Sequence, residues 1–381
     1  KLDRMAEPML SPLAVFLFST LITAAIQWVG FALAYAYQTE VFFDVLGGVN
    51  FMALAAFSAA STDGWFADSR KMAATIIFVC SRAWLLAFLA WRAHDRGGDS
   101  RFDGVKDKWR TFLLFWTVQG VWCMLISSPV LFINSSPSSP PLAPLDIALL
   151  VAFSLGVVLE CLADVQKAIW VRAGRQGGFC TAGVWHYSRH PNYFGEMLQW
   201  WACWLLAFSS SSGVYDLLWW ATSVSPLFTM QILLNVPETG VAQANGKNLK
   251  RYYDRFPESY AAYRASTSIL LPMLPAVYKR IPMLLKRTVR VQFCAAPLVA
   301  KRAVHQTCPH ACALSAGRSS WTLLATNIGP GPRKAPSRRA LALLRPTELA
   351  DRLSLIASAK TEERSRSRRI GCSGKRRSVR G

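Results

Sequence analysis

The chain of 381 residues is long enough for one large domain or two modest ones. It is 52% hydrophobic and 12% aromatic, and 17% of its residues are charged, whereas soluble domains contain about 25% charged residues. This composition excludes an ordinary soluble enzyme. Nine cysteines over this length are also too sparse for a disulfide-stapled secreted scaffold.

The net charge of +21 is concentrated at one end of the chain. Residues 286–381 contain 21 basic and 4 acidic residues, so the first 285 residues carry a net charge of only +4. Segment 286–381 is rich in Ser, Ala, Gly and Pro and has little apolar periodicity, which predicts a disordered basic tail. We expect no nucleic-acid binding, and the tail is either uninformative or attracted to anionic lipid headgroups.

The remainder of the chain predicts an all-α, polytopic membrane helix bundle. Six or seven apolar stretches approach the length of about 20 residues that a transmembrane helix needs. The second and sixth stretches are the shortest, and Met197–Phe208 spans a membrane only if its helix begins earlier, at Pro191. In chain order the stretches are Leu13–Tyr37, Val45–Ser61, Met72–Trp91, Thr111–Ile133, Leu145–Ala163, Met197–Phe208 and Val214–Val236.

The loops divide by charge. Segments Arg92–Arg110, Lys167–Arg189 and Lys247–Arg255 are basic, whereas Asn134–Pro144 and Ser209–Gly213 contain no charged residue. By the positive-inside rule the basic loops share the cytoplasmic side. Because the chain starts at Lys1 rather than at Met, we expect its N-terminal region to be incomplete. Residues 1–43 are expected to contain one transmembrane helix. We also expect no signal peptide.

The polar residues most relevant to function lie between Gly177 and Phe208. Arg189 and His190 precede Pro191, which favours the first turn of a helix. Asn192 and Glu196 follow four residues apart, on one helix face. A helix N-terminus beside an arginine favours anion binding, and polar groups at membrane depth are costly unless they face a cavity or a ligand. Interfacial anchoring explains Trp200 and Trp201 but not this polar group.

The segment Tyr187-Ser-Arg-His-Pro-Asn-Tyr-Phe-Gly-Glu196 resembles the signature of the steroid 5-alpha-reductase-like membrane oxidoreductases, a group often catalogued as a domain of unknown function. Gly183-Val-Trp185 and Glu160–Lys167 precede it, and Arg251-Tyr-Tyr-Asp254 and Thr267–Pro272 follow it in the expected order. The similarity covers about Asp44 to Pro275. It implies a steroid-reductase-like membrane domain over residues 44–285.

The resemblance implies an NADPH-dependent reductase that transfers a hydride to a carbon–carbon double bond of a lipid or steroid-like substrate. Reductases of this type commonly lie in the endoplasmic reticulum with the cofactor site facing the cytosol, which we expect here, although a plastid or bacterial inner membrane suits the same physical properties. Carried over by motif position, ten residues are expected to bind the cofactor. Asp164 and Arg172 contact the nucleotide end, Arg189, His190, Asn192, Tyr193 and Glu196 line the phosphates and nicotinamide, and Arg251, Asp254 and Tyr260 or Tyr263 close over the adenosine.

Several of these residues have a purely structural alternative. Asp164 also suits a helix end, Arg172 a positive-inside charge, and Arg251 with Asp254 a solvated surface pair. Arg82 and Gln119, inside predicted helices, suit either substrate contacts or hydrogen bonds between helices. The segment after Glu238 is longer and less charged than is usual in the family, and the sequence does not locate the proton donor.

Two other functions compete with the reductase. A membrane methyltransferase of the isoprenylcysteine carboxyl type also carries an Arg-His-Pro-x-Tyr helix start, where Arg189 and His190 would hold S-adenosylmethionine and Glu238 would contribute an acidic group. Asn192, the Phe-Gly-Glu ending and Asp164-x-Gln-Lys167 are more typical of the reductases. The third possibility is a membrane scaffold that recruits a partner through its basic tail. We predict no metal site, and Cys308–Cys312 lacks a second pair of ligands.

Overall fold

The computed structural model describes residues 7–96, 100–138, 140–175, 178–236, 240–243, 249–282 and 286. The predicted basic tail therefore lies, apart from Lys286, outside the described residues, as do Glu238 and Cys308–Cys312. In the part of the chain described, six long helices form the bundle. They are α1 (Pro12–Ala36), α2 (Phe43–Ala60), α3 (Ser69–Arg96), α4 (Trp109–Ser135), α5 (Pro144–Arg172) and α6 (Pro191–Ala207).

Shorter elements complete the fold. Residues 217–235 form one apolar segment built from α7 (Leu217–Ala221), α8 (Val224–Met230) and a π-helical turn (Gln231–Asn235). The short helices α9 (Gly240–Gln243), α10 (Leu249–Arg255), α11 (Pro257–Ser266) and α12 (Pro275–Arg280) follow. Two-residue strands β1 (Glu7–Pro8) and β2 (Thr62–Asp63) pair antiparallel, with Glu7 opposite Asp63. The 3₁₀ turns are Trp65–Ala67, Ser100–Phe102, Gly183–His186 and Phe208–Ser210.

The helix starts carry local sequence signals. Ser11 caps α1 by accepting a hydrogen bond from the Ala14 amide (3.3 Å). Pro12, Pro144 and Pro191 occupy the first turns of α1, α5 and α6, where a missing N–H costs nothing. The predicted start of α6 at Pro191 is therefore confirmed.

The prediction of an all-α membrane bundle is confirmed. Within the described ranges, six segments are long and apolar enough to cross a membrane: α1, α2, Ser69–Arg92 of α3, α4, α5 and 217–235. The 17-residue α6 packs antiparallel to α5 as a further helix of the bundle. Large apolar side chains on the outer faces remain exposed, such as Leu155 (58%) and Val158 (52%) on α5, as expected of surfaces that contact lipid.

Aromatic side chains fill the interior. Trp200 of α6 is fully buried, and its ring centroid lies 5.9 Å from those of Phe78 on α3 and Phe153 on α5. A buried ion pair joins α3 to α5 at the end of the bundle where both helices begin. Arg70 Nη2 lies 2.7 Å from Asp146 Oδ2. We call the other end, which carries segments Arg92–Arg110 and Lys167–Arg189, the basic end.

Candidate functional site

The start of α6 brings two sequence-predicted residues against α5. Asn192 Nδ2 donates a hydrogen bond to Asp164 Oδ1 (3.2 Å), and Asp164 is 8% exposed. The other amide atom, Asn192 Oδ1, is buried and has no hydrogen-bond donor in the part of the chain that the structure describes. A buried acceptor without a donor is costly, so this oxygen is suited to receive a donor from a ligand.

Glu196, one turn further along α6, contacts a buried arginine of α3. Arg82 Nη1 lies 3.4 Å from Glu196 Oε1, and Arg82 Nη2 lies 3.9 Å from Glu160 Oε2 of α5. The Arg82 side chain is fully buried, and its guanidinium lies 4.7 Å from the Trp200 ring centroid. One cation therefore joins carboxylates from two helices in an apolar surrounding, where unpaired charge would be strongly destabilising.

Two neutral side chains complete this cluster. Gln199 Nε2 donates to Glu160 Oε2 (2.6 Å), and Gln199 Oε1 accepts from Ser81 Oγ (2.5 Å). Ser81 Oγ in turn accepts from Arg82 Nη2 (2.8 Å). We call Ser81, Arg82, Glu160, Asp164, Asn192, Glu196 and Gln199 the polar cluster; it ties α3, α5 and α6 together.

Glycines allow α5 and α6 to approach closely enough for these contacts. A Cβ atom on Gly195 would lie 2.7 Å from the carbonyl oxygen of Gly156, and one on Gly156 would lie 2.7 Å from that of Gly195. Neither backbone can accommodate a methyl group without moving. Small residues at such a crossing permit close helix packing in membranes, which here places Glu196 against Glu160 and Arg82.

The segment before α6 is anchored on both sides. The Trp185 indole donates to the Ala163 carbonyl of α5 (2.9 Å). On its other side, the Arg189 amide donates to the Ser268 carbonyl (2.9 Å), and Ser188 Oγ donates to the Leu270 carbonyl (2.6 Å). These bonds hold Arg189 and His190 at the N-terminus of α6, where the helix dipole favours an anion.

His190 is kept neutral by its surroundings. Its ring stacks on that of Tyr193 with centroids 5.1 Å apart. Burial, followed by the positive charges of Lys167 and Arg189, lowers the pKa of His190 well below its usual range. A neutral imidazole here leaves Arg189 as the positive charge next to the helix start.

An aromatic cluster covers this region at the basic end. Gly178 has a φ of +80°, and the Phe256 ring occupies the space where a Cβ would lie. Tyr263 donates a hydrogen bond to the Trp185 carbonyl (2.6 Å), and burial raises the pKa of Tyr263. Ring centroids of Phe179 and its neighbours are separated by 5.0–6.4 Å; the cluster is Phe179, Tyr252, Phe256, Tyr260 and Tyr263.

The structure places seven of the ten sequence-predicted residues in three groups. Asp164, Asn192 and Glu196 belong to the polar cluster; Arg189, His190 and Tyr193 surround the start of α6; and Tyr263 belongs to the aromatic cluster. Arg251 and Asp254 are exposed, and Arg251 lies over the ring of Tyr252 (5.0 Å) rather than beside a carboxylate. Arg172 lies apart from all of these, paired with Asp95 (3.5 Å).

Sequence reasoning assigned no role to Glu160, Ser81 or Gln199. The available signals were helical spacing: Glu160 lies four residues before Asp164, and Gln199 three residues after Glu196. Gln119 links α4 to two other helices. Its Nε2 donates hydrogen bonds to Gln27 Oε1 of α1 (3.1 Å) and to the Phe43 carbonyl of α2 (2.9 Å). In the described ranges, no group of three or more His, Cys, Asp or Glu side chains has the arrangement of a metal site.

The fold and this geometry define a polytopic helical membrane protein with a polar site near one end of its bundle. Residues 30–267 match the family described as "protein of unknown function (DUF1295)", and the chain belongs to that family. Comparisons with curated proteins and with solved structures find no match.

Proposed function

We propose that this protein is an integral membrane reductase of the steroid 5-alpha-reductase-like group, using NADPH to reduce a carbon–carbon double bond of a lipid or steroid-like substrate. The observation that carries the proposal is the pairing of Asn192 with Asp164, which leaves Asn192 Oδ1, one helical turn before Glu196, buried without a donor among the described residues. The family match over residues 30–267, which contains the reductase-like signature, supports it.

The free hydrogen-bond acceptors suit a nicotinamide. Asp164 accepts from the Asn192 amide nitrogen and so fixes which amide atom is left over. The remaining Oδ1 accepts a hydrogen bond, as the N–H₂ of a carboxamide requires. Glu196 offers a second acceptor on the same face of α6, and Arg82 holds that carboxylate in place.

The residues before and beside α6 suit the phosphate and adenosine parts of NADPH. Arg189 supplies a fixed positive charge at the helix N-terminus, the arrangement that favours phosphate. The rings of Phe179 and Tyr252, which are only partly buried, provide surface on which a purine would stack. Arg251, over the Tyr252 ring, adds a cation at the edge of this cluster and suits a 2′-phosphate.

In this proposal the protein binds and orients the cofactor, and the cofactor carries out the reduction. When bound, NADPH supplies the hydride, while the protein provides binding, orientation and electrostatics. Asp164 and Asn192 set the orientation of the carboxamide, and the buried Arg82 balances the carboxylates around it. The basic end faces the cytosol in this proposal, in agreement with the positive-inside rule, and the endoplasmic reticulum is the proposed membrane.

Cofactor titration of the purified full-length protein in detergent tests the proposal. NADPH, NADH and S-adenosylmethionine are added in parallel, and binding is followed by calorimetry and thermal shift. We expect saturable binding of NADPH that is lost in Asn192→Leu and Glu196→Gln, and retained in the exposed controls Asn235→Leu and Glu258→Gln. Binding of S-adenosylmethionine instead would replace the reductase with the methyltransferase, and binding of no compound would refute both enzymes.

A further inference from the structure

A cleft of about 320 Å³ lies between α3 and α5, outside the site described above. We call it the α3–α5 cleft. Its α3 wall includes Trp84, Phe88 and Trp91, its α5 wall includes Val165 and Ile169, and Arg172 lies at its end. The volume is at the lower end of the range of about 300–1,000 Å³ that is typical of small-molecule sites.

The cleft and the polar cluster lie at the same depth of the bundle. Trp84 follows Arg82 by two residues, and Val165 directly follows Asp164. The inner end of the cleft therefore lies along the same helical turns as the proposed reaction site. From Val165 the cleft extends along α5 to Arg172, seven residues or roughly 10 Å at 1.5 Å per residue.

The inner end combines an apolar wall with one free polar group. The rings of Trp84 and Phe88 are stacked, 15° apart in orientation, with centroids separated by 6.2 Å. Trp84 Nε1 is buried and has no hydrogen-bond acceptor in the described part of the chain. A buried indole N–H normally finds an acceptor, so the cleft suits a molecule that carries an oxygen at this depth.

An exposed arginine lies at the outer end. The Arg172 guanidinium lies 4.6 Å from the Trp91 ring centroid, and its side chain remains 60% exposed beside Asp95. The Arg92 guanidinium lies 5.9 Å from the Phe88 centroid. The exposed Arg172 guanidinium complements an anionic headgroup at the membrane surface.

We propose that the α3–α5 cleft binds the lipid substrate, a chain amphiphile with an anionic head at Arg172 and a carbonyl oxygen, roughly 10 Å further along, that accepts from Trp84 Nε1. The apolar chain between them packs on Trp84, Phe88 and Trp91. This inference rests on the proposed function for the identity of the ligand as a substrate. It assigns Arg172 to the lipid rather than to the nucleotide.

Photolabelling tests the location. The full-length protein in phosphatidylcholine nanodiscs is exposed to a long-chain fatty acid carrying a diazirine near its methyl end, and labelled peptides are identified by mass spectrometry. We expect labels on α3 and α5 that disappear in Ala168→Trp, which fills the cleft, and persist in Leu162→Trp, on the lipid-facing side of α5 (47% exposed). Labels that persist in Ala168→Trp, or fall only elsewhere, would overturn the proposal.

Competition tests the polar contacts. We expect 10-oxo-octadecanoic acid to displace the label at about fivefold lower concentration than octadecanoic acid, the effect of one added hydrogen bond. Trp84→Phe should abolish that advantage, whereas Trp109→Phe, at an exposed indole, should retain it. Arg172→Gln should weaken both acids, and the exposed Arg110→Gln should not. Equal competition by the two acids in the unmodified protein would refute the carbonyl contact.

NADPH titration of the same variants separates the two proposals. We expect Ala168→Trp, Trp84→Phe and Arg172→Gln to bind NADPH as the unmodified protein does. Lost labelling in Ala168→Trp, with intact NADPH binding in all three variants, confirms the cleft as a lipid site distinct from the cofactor site. Loss of NADPH binding in Arg172→Gln alone would mean that Arg172 contacts the nucleotide, and would overturn its assignment to the lipid headgroup. Labelling in a protein that binds no NADPH refutes the proposed function and leaves the lipid site standing.

Discussion

Arg82 of α3 and Glu196 of α6 form an ion pair inside the bundle, with Nη1 and Oε1 separated by 3.4 Å. They are 114 residues apart in sequence. The same guanidinium faces Glu160, 3.9 Å away, so the contact fixes three helices relative to one another. The residues proposed to orient the cofactor therefore depend on a helix that the sequence motif does not include.

Replacing Arg82 should destabilise the fold strongly. Arg82→Gln leaves Glu160 and Glu196 without their cation in a buried setting, and breaking a buried pair in this way costs about 3–5 kcal/mol. The measurement is the free energy of unfolding in mixed micelles. The exposed Arg110→Gln is the control and should change it by less than about 0.5 kcal/mol.

A double-mutant cycle isolates the Arg82–Glu196 contact. Residues in direct contact show coupling free energies of about 0.5–3 kcal/mol. We expect Arg82→Gln and Glu196→Gln together to cost less than the sum of the two single changes, because the second change removes a carboxylate that the first left unpaired. Strict additivity would contradict the ion pair.

The close approach of α5 and α6 predicts that a larger residue at Gly195 destabilises the bundle. In Gly195→Ala the new methyl group meets the Gly156 carbonyl at 2.7 Å, so the helices must separate. Overpacking of this kind costs about 1–3 kcal/mol. NADPH affinity should fall as well, since Glu196 moves with its neighbour. Val158→Leu adds one carbon at a 52% exposed position of α5 and should change neither the unfolding free energy nor the affinity.

The sequence was sufficient to predict the helix bundle and the residues at the start of α6. Apolar runs of the right length predict helices in a membrane, and Pro191 indicates where α6 begins. Asn192 and Glu196 were predicted to share a face, and both lie in the polar cluster.

The sequence could not predict which helices meet. Arg82 lies on α3, and nothing in its local pattern distinguishes a contact to Glu196 from one to Gln119, which instead bonds to Gln27 on α1. Arg172 shows the opposite limit. The resemblance implies a nucleotide contact for this residue, and its local sequence pattern does not indicate the contacts with Asp95 and Trp91 that the structure shows. Packing between distant segments decides both cases.

Removing one hydroxyl group tests the anchoring of the segment before α6. Tyr263→Phe keeps the ring in the aromatic cluster but removes the hydrogen bond to the Trp185 carbonyl (2.6 Å), which should cost about 1 kcal/mol. Limited proteolysis within residues 178–190 should become faster. Tyr215→Phe, at a 91% exposed ring, is the matched control. An unchanged cleavage rate in Tyr263→Phe would contradict the anchoring.

The lowered pKa of His190 predicts a pH dependence of stability. Burial and the charges of Lys167 and Arg189 disfavour the imidazolium in the folded protein, whereas the unfolded chain takes up a proton at its ordinary pKa of about 6.5. Below that pH the unfolded state binds more protons, so the free energy of unfolding falls as the pH decreases. For one proton the slope reaches at most about 1.4 kcal/mol per pH unit.

Titration of the unfolding free energy between about pH 5 and 7 checks this effect. We expect the slope below about pH 6.5 to decrease by up to one proton in His190→Gln, which cannot take up a proton in either state. Asn235→Gln, at an exposed position with no titratable group, should keep the slope of the unmodified protein. An identical slope in His190→Gln would mean that His190 is as easily protonated in the fold as in the unfolded chain, and would refute a neutral imidazole at the start of α6.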